Sequence, residues 1–188
     1  MPRLIGKRII LREYEREDFK YMRRWVNDPE ITNYLTDLFL YPHTIVDTEN
    51  FLDFMLDNKS STTKGFVIAH RDSGEYIGQI DLMTIDWINR VSKIGIVIGV
   101  KDNFGKGYGT EAIQLLQEFA FNKLNLHKLE LEVREFNKRA IRTYEKCGFK
   151  KEGRIRENFY IGGHYKDTIH MGVLKREWQE MNNIKNSG

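Results

Sequence analysis

The 188 residues include one cysteine, Cys147, only three prolines, and no apolar run near the ~20 residues that a membrane-spanning helix requires. A lone cysteine excludes an internal disulfide and a cysteine-based metal cluster, and it suits a reducing compartment. The opening "MPRLIGKRIILREYERED" becomes charged before a signal-type apolar core can form, so the expected location is cytoplasmic, with no membrane partner. Charge of one sign is also scarce. The net charge is +3, with Lys and Arg mixed among Asp and Glu, which argues against nucleic acid as a partner. His43, His70, His127 and His164 are scattered, so no metal site is expected. Repeats, low-complexity tracts and linkers are absent, which points to one domain spanning residues 1–188.

What is present is a readable order of elements. "KRIILREYE" alternates as a strand, and "REDFKYMRRWVND" places Phe19, Met22, Trp25 and Val26 on one helical face. "TIVDTENFLDFMLDN" repeats that period through Ile45, Phe51, Leu52, Phe54 and Met55. "KGFVIAHRD" and "EYIGQIDLMTIDW" meet at "DSG" as a hairpin, and "VSKIGIVIGV" reads as a strand buried on both faces. The stripe Ala112, Ile113, Leu115, Leu116, Phe119, Ala120 makes a helix. "LHKLELEVRE" alternates Leu129, Leu131 and Val133 with charged residues, so a strand–helix–strand crossover with a parallel pair is predicted. Asn137 starts a second helix that Gly148 ends, and Gly162-Gly163 turns a last hairpin. The total is an α/β (α+β) fold with a mixed sheet of about seven strands and four to five helices.

Between the buried strand and the first of those helices lies "VKDNFGKGYGTEAI", with Gly105, Gly107 and Gly109. Glycines there let backbone N–H groups converge on an anion, and the helix N-terminus adds unpaired amides and a positive dipole end. One reading is a pyrophosphate cradle, with Lys101 and Lys106 as counter-charge; the other is a plain strand-to-helix turn. A Walker loop is excluded because Gly-Lys is not followed by Ser or Thr, and the dinucleotide fingerprint fails at Thr110.

"NFGKGYGTEAI" resembles the acetyl-CoA loop of the GNAT N-acetyltransferase superfamily, Q/R-x-x-G-x-G/A, with Gly107 and Gly109 on its glycine positions. Phe104 stands where Gln or Arg is usual. "NKRAIRTYEKCGFKKEGRIRENFYIGGHYKDTIHMGVL" is similar to the family's C-terminal signature. The opening "GKRIILREYEREDFKYMRRWVNDPEIT" resembles the branch that holds RimJ/RimL-type ribosomal-protein acetyltransferases and spermidine acetyltransferases. The resemblance implies a GNAT fold whose parallel strands splay at the cofactor. It implies acetyl-CoA as cosubstrate and CoA as product, bound by Ile98, Gly99, Val100, Phe104, Gly105, Lys106, Gly107, Tyr108, Gly109, Thr110, Asn137, Arg139 and Tyr144.

The same resemblance implies direct attack of an amine on the thioester. It puts a backbone N–H from Gly99 or Val100 at the thioester oxygen; Gly99 can also mark a bulge, and the expectation is bulge and donor together. It makes Tyr144 the general acid at the departing sulfur, although Ala140, Ile141 and Tyr144 also share the spacing of ordinary core. It has Asn137 bond the pantetheine arm besides capping its helix. No base stands out among Asp81, Asp86, Glu111 and His170, although an amine of pKa about 10 must lose a proton before it attacks.

The stretch Trp25–Asn58 has no Lys or Arg but holds Asp28, Glu30, Asp37, Asp47, Glu49, Asp53 and Asp57. Either these acids draw in a cationic acceptor, beside Trp25, Tyr34 or Tyr41, or they cap helices and face water. The first option favours a polyamine or other small basic amine; a protein N-terminus and a non-catalytic CoA-binding module are the alternatives. Homo-oligomerisation stays open.

Overall fold

The computed structural model describes residues 3–186. Its strands are β1 (Leu4–Ile5), β2 (Ile9–Arg12), β3 (Lys64–His70), β4 (Tyr76–Asp86), β5 (Val91–Ile98), β6 (Lys128–Arg134), β7 (Lys150–Ile161) and β8 (His164–Leu174). The helices are α1 (Phe19–Trp25), α2 (Pro29–Thr32), α3 (Ile45–Asp57), α4 (Tyr108–Glu118), α5 (Lys138–Lys146) and α6 (Lys175–Asn186). One sheet of eight strands runs β1-β2-β3-β4-β5-β6-β8-β7, antiparallel except for β5 against β6. The expected seven strands become eight because of the two-residue β1, and α6 raises the helix number to six.

Two apolar layers hold the sheet. On one face Ile80, Leu82, Leu129, Leu131 and Val133 meet Ile113, Leu116, Ile141 and Trp178 from α4, α5 and α6. On the other, Val67, Ala69, Tyr76 and Val97 meet Met22, Trp25 and Leu52 from α1 and α3. Full burial of a large apolar side chain contributes roughly 1.5–3 kcal/mol. Of the helical faces predicted, Met22, Trp25 and Val26 are buried, but Ile45 and Phe54 of α3 are exposed. α3 turns Thr48 and Leu52 inward instead, after Thr44 and Asp47 close a capping box at its start.

Local chemistry starts and stops the other helices near the site. Asp28 accepts from Glu30 N–H ahead of Pro29, which fixes the short α2. Asn137 accepts from Ala140 N–H at 3.2 Å and opens α5. Before α1, Arg12 grips Asp18 through both terminal nitrogens at 2.9 and 2.7 Å, with the pair buried. Removing one partner from such a pair costs about 3–5 kcal/mol.

The parallel contact is brief. Val91, Ser92 and Lys93 pair with Lys128, Leu129 and Glu130, and the two strands then part. β5 is accordingly less enclosed than the run "VSKIGIVIGV" suggests: Ser92, Ile94 and Val97 are buried, while Gly95, Ile96 and Ile98 are intermediate. The splay is what uncovers them.

Candidate active site

The C-terminal half of β5, Ile94–Ile98, pairs with β4 on one side and, among the described residues, with no strand on its β6 side. Its last turn is a bulge. Gly99 N–H donates to the Ile77 carbonyl at 2.9 Å and Val100 N–H to the same oxygen at 3.2 Å. One extra residue in β5 makes two successive amides share one acceptor. The bulge reading of Gly99 therefore holds. The two amides expected at the thioester oxygen thus both turn to the Ile77 carbonyl of β4 in this structure.

The loop that follows is open where a ligand would approach. A 3-10 turn, Lys101–Asn103, leads to Phe104, whose N–H donates to the Lys101 carbonyl at 2.9 Å. Glu111 N–H then donates to the Gly107 carbonyl at 3.1 Å, and the amides from Gly105 to Thr110 take no acceptor among the described residues. Gly107 has φ +82°, a left-handed conformation that favours glycine, and it caps α4. A Cβ on Gly105 would meet nothing within 4 Å, and one on Gly107 only the Arg8 guanidinium at 3.3 Å. Unpaired amides, bare main chain and a helix N-terminus fit a diphosphate.

Arg8, from the turn between β1 and β2, braces this cradle from behind. It donates to the Lys106 carbonyl at 2.8 Å and to Glu111 at 2.9 Å, and its guanidinium lies 4.9 Å from the centre of the Tyr108 ring. Burial alone would raise the Glu111 pKa, but the hydrogen bonds from Arg8 outweigh it and hold the carboxyl below its usual value. Glu111 is thus a structural anion, which removes it as a base. Of the two lysines expected as counter-charge, Lys101 instead holds Asp28 at 2.7 Å and bonds Glu30 as well.

The opposite wall comes from α5. Asn137 occupies its side-chain oxygen in the cap, and Arg139 lies over Phe104 with 4.3 Å between guanidinium carbon and ring centre. The Tyr144 ring is 9% exposed and meets Phe149 edge-on at 6.0 Å. Burial first, then the nearby Cys147, pushes its phenol up to about 12. The proton therefore stays on through the neutral range. Its hydroxyl bonds to no described residue and is not among the sealed polar atoms without a partner. Tyr144 is core by its ring and keeps a protonated hydroxyl that is not sealed into that core.

The acids of the first third are largely committed to neighbours. Asp37 binds Arg134 at 2.6 Å, Asp53 binds Arg16 at 2.7 Å, Asp57 binds Lys59 at 2.6 Å, and Asp47 closes the cap of α3. Asp86 folds its own turn through Ile88 and Asn89. His170 stands 3.7 Å from Glu132. Asp81 differs: burial pushes it up to about 7, against the hydrogen bonds from Tyr14 and the Phe66 amide. Arg8, Arg134 and the Trp25 ring on Gly99 carry no local sequence signal, because each meets a partner far away in the chain.

Residues 8–150 match the family profile described as acetyltransferase (GNAT) domain. The chain belongs to the GNAT acetyltransferase family. It is 31% identical over 180 residues to the uncharacterized N-acetyltransferase p20 of Bacillus licheniformis, covering 95% of this chain and 99% of that one. It is 31% identical to the spermidine N(1)-acetyltransferase of Escherichia coli, with 89% and 87% covered. Among solved structures, the spermidine N-acetyltransferase of Vibrio cholerae in complex with CoA and spermine superposes with a TM-score of 0.80 at 28% identity, over 92% and 98% of the two chains. The protein is an N-acetyltransferase that uses acetyl-CoA. No helix among the described residues is long and apolar enough to cross a membrane.

Proposed function

We propose that this chain, acting as one GNAT domain, acetylates a primary amine of a polyamine or another small basic amine. The observation that carries the reaction is the row of open amides from Gly105 to Thr110 at the start of α4, beside the splay of β5 and β6. These amides, with Gly107 and Gly109 leaving the main chain bare, hold the diphosphate of the cosubstrate. Arg139, resting on Phe104, adds a cation from the facing wall. The open edge of β5 at Ile98 lines the pantetheine arm, and Tyr144 gives its proton to the departing sulfur. Acetyl-CoA supplies the activated acetyl group.

The acceptor class rests on similarity that covers the first third of the chain as well as the cofactor half, with two of the relatives above being spermidine acetyltransferases. A second reading, a protein N-terminus, is favoured by one observation. Most acids of the first third are already in caps or ion pairs, and Arg134 ends β6 at the splay. A thiol-release assay with acetyl-CoA over polyamines, amino sugars, aminoglycosides and N-terminal peptides separates these. Turnover with polyamines is expected; peptide turnover alone moves the acceptor, and CoA binding with no turnover makes the protein a binding module.

A further inference from the structure

Trp25 occupies a place that no cofactor-loop motif describes. Its indole packs directly on Gly99: a Cβ built there would fall 2.4 Å from Trp25 Cδ1 and 2.7 Å from Nε1. The ring is held from behind, since Nε1–H donates to the Tyr76 hydroxyl at 3.1 Å, which donates to Gln79 at 3.2 Å, all buried. Tyr76 is itself stacked on Tyr21 at 5.5 Å. On the other side Trp25 touches Phe39 at 5.6 Å, and Phe39 stacks on His43 at 4.8 Å. The strand end is pinned from β4 as well, because a Cβ on Gly78 would sit 2.1 Å from the Val97 carbonyl oxygen. Two side-chain-free positions, Gly78 and Gly99, thus let β4 and the indole close on the last residues of β5.

We infer that Trp25 is a positioning residue for acetyl transfer: seated on Gly99, it sets the end of β5 along which the thioester lies and ties that end to segment 37–43. This inference rests on the donor binding at the splay, as proposed above. Packed interiors shift between discrete arrangements rather than yielding smoothly, so a methyl group at Gly99 must displace either the ring or the bulge. Misplacing the thioester by even 1 Å relative to Tyr144 and the amine lowers the rate of the chemical step. The phosphate cradle beyond Phe104 has braces of its own in Arg8 and Glu111.

The test is a rescue experiment on the full chain. Gly99→Ala is expected to lower kcat about tenfold or more while the CoA dissociation constant stays within about threefold. Trp25→Leu added to that variant should restore much of the lost kcat, because the smaller side chain vacates the space the methyl needs. Wild-type kcat in Gly99→Ala, equal loss of kcat and CoA affinity, or a folded double variant without recovery overturns the inference. Should Gly99→Ala not fold, Trp25→Phe gives a second measure, with kcat reduced and CoA affinity retained; unchanged kcat counts against the role. A wild-type protein that binds CoA but acetylates no amine defeats the functional reading instead, before any variant is compared.

Discussion

The Arg139 guanidinium sits 4.3 Å above the centre of the Phe104 ring, joining the first turn of α5 to the loop ahead of α4. Phe104 occupies the motif position where Gln or Arg is usual, and a cation is delivered to the same spot from the other wall of the splay. A contact of this kind contributes about 0.5–2 kcal/mol. Arg139→Gln and Phe104→Ala are each expected to weaken CoA binding by roughly 3- to 10-fold, with the double variant no worse than the stronger single, by isothermal titration. Pantetheine, which lacks the diphosphate, should bind all four proteins alike. Additive losses, or an equal loss for pantetheine, would separate the pair from the phosphates.

Tyr144→Phe removes the hydroxyl and keeps the ring against Phe149. Because the phenol is pushed up to about 12, it stays protonated across the neutral range and is not a titrating switch. Its loss should lower kcat by about 10²-fold with the acetyl-CoA dissociation constant nearly unchanged. The acid limb of the pH profile should not move. A parallel drop in affinity and melting temperature would mark the residue as packing alone.

Gly107 tests the cradle. At φ +82° any side chain is strained, costing on the order of 1–3 kcal/mol, and its Cβ comes 3.3 Å from the Arg8 guanidinium. Gly105, at φ +73° with open space around it, shares the strain without that contact. Gly107→Val should therefore lower the melting temperature and weaken CoA and acetyl-CoA together. Gly105→Ala should cost similar stability while sparing the brace from Arg8. Unaltered CoA affinity in Gly107→Val would place the diphosphate elsewhere.

Local rules made much of this molecule legible. Leu129, Leu131 and Val133 alternate onto the core, Asn137 caps its helix, and Gly162-Gly163 turns β7 into β8, all as the spacing predicts. Most failures come from contacts between residues distant in the chain. Ile45 and Phe54 keep helical period yet stay exposed, because the α3 face that meets the sheet is set by Thr48 and Leu52. The acids of the first third look like a substrate field until Lys101, Arg134 and Arg16 arrive from elsewhere in the chain to pair with them. At the site, the glycine loop was visible as a motif, whereas Arg8 behind it and Trp25 on Gly99 were not. α6 escaped because its apolar stripe is short, Trp178 on Phe121 at 5.3 Å and Met181 beside Gly148.

Asp81 gives a pH prediction whose sign follows from its partners. Burial raises its folded pKa from 3.8 to about 7, while the unfolded carboxyl titrates near 3.9. Between those values the folded state holds a proton that the unfolded state has lost, so stability declines as pH rises from about 4 to 7 and levels off above. Asp81→Asn removes this dependence. It should be no more stable than wild type near pH 4 and more stable by about 1–3 kcal/mol at pH 8, a value below the full shift because the residue is only half-buried. Denaturant melts at both pH values check it, and a gap that fails to widen sinks the assignment. The same variant decides whether Asp81 also takes the acceptor's proton. Its carboxylate is taken up by the Tyr14 hydroxyl at 3.1 Å and lies against Gly65, which argues for structure, so kcat/KM should keep its pH profile. Loss of the limb near pH 7 would instead make Asp81 the base that the sequence did not single out.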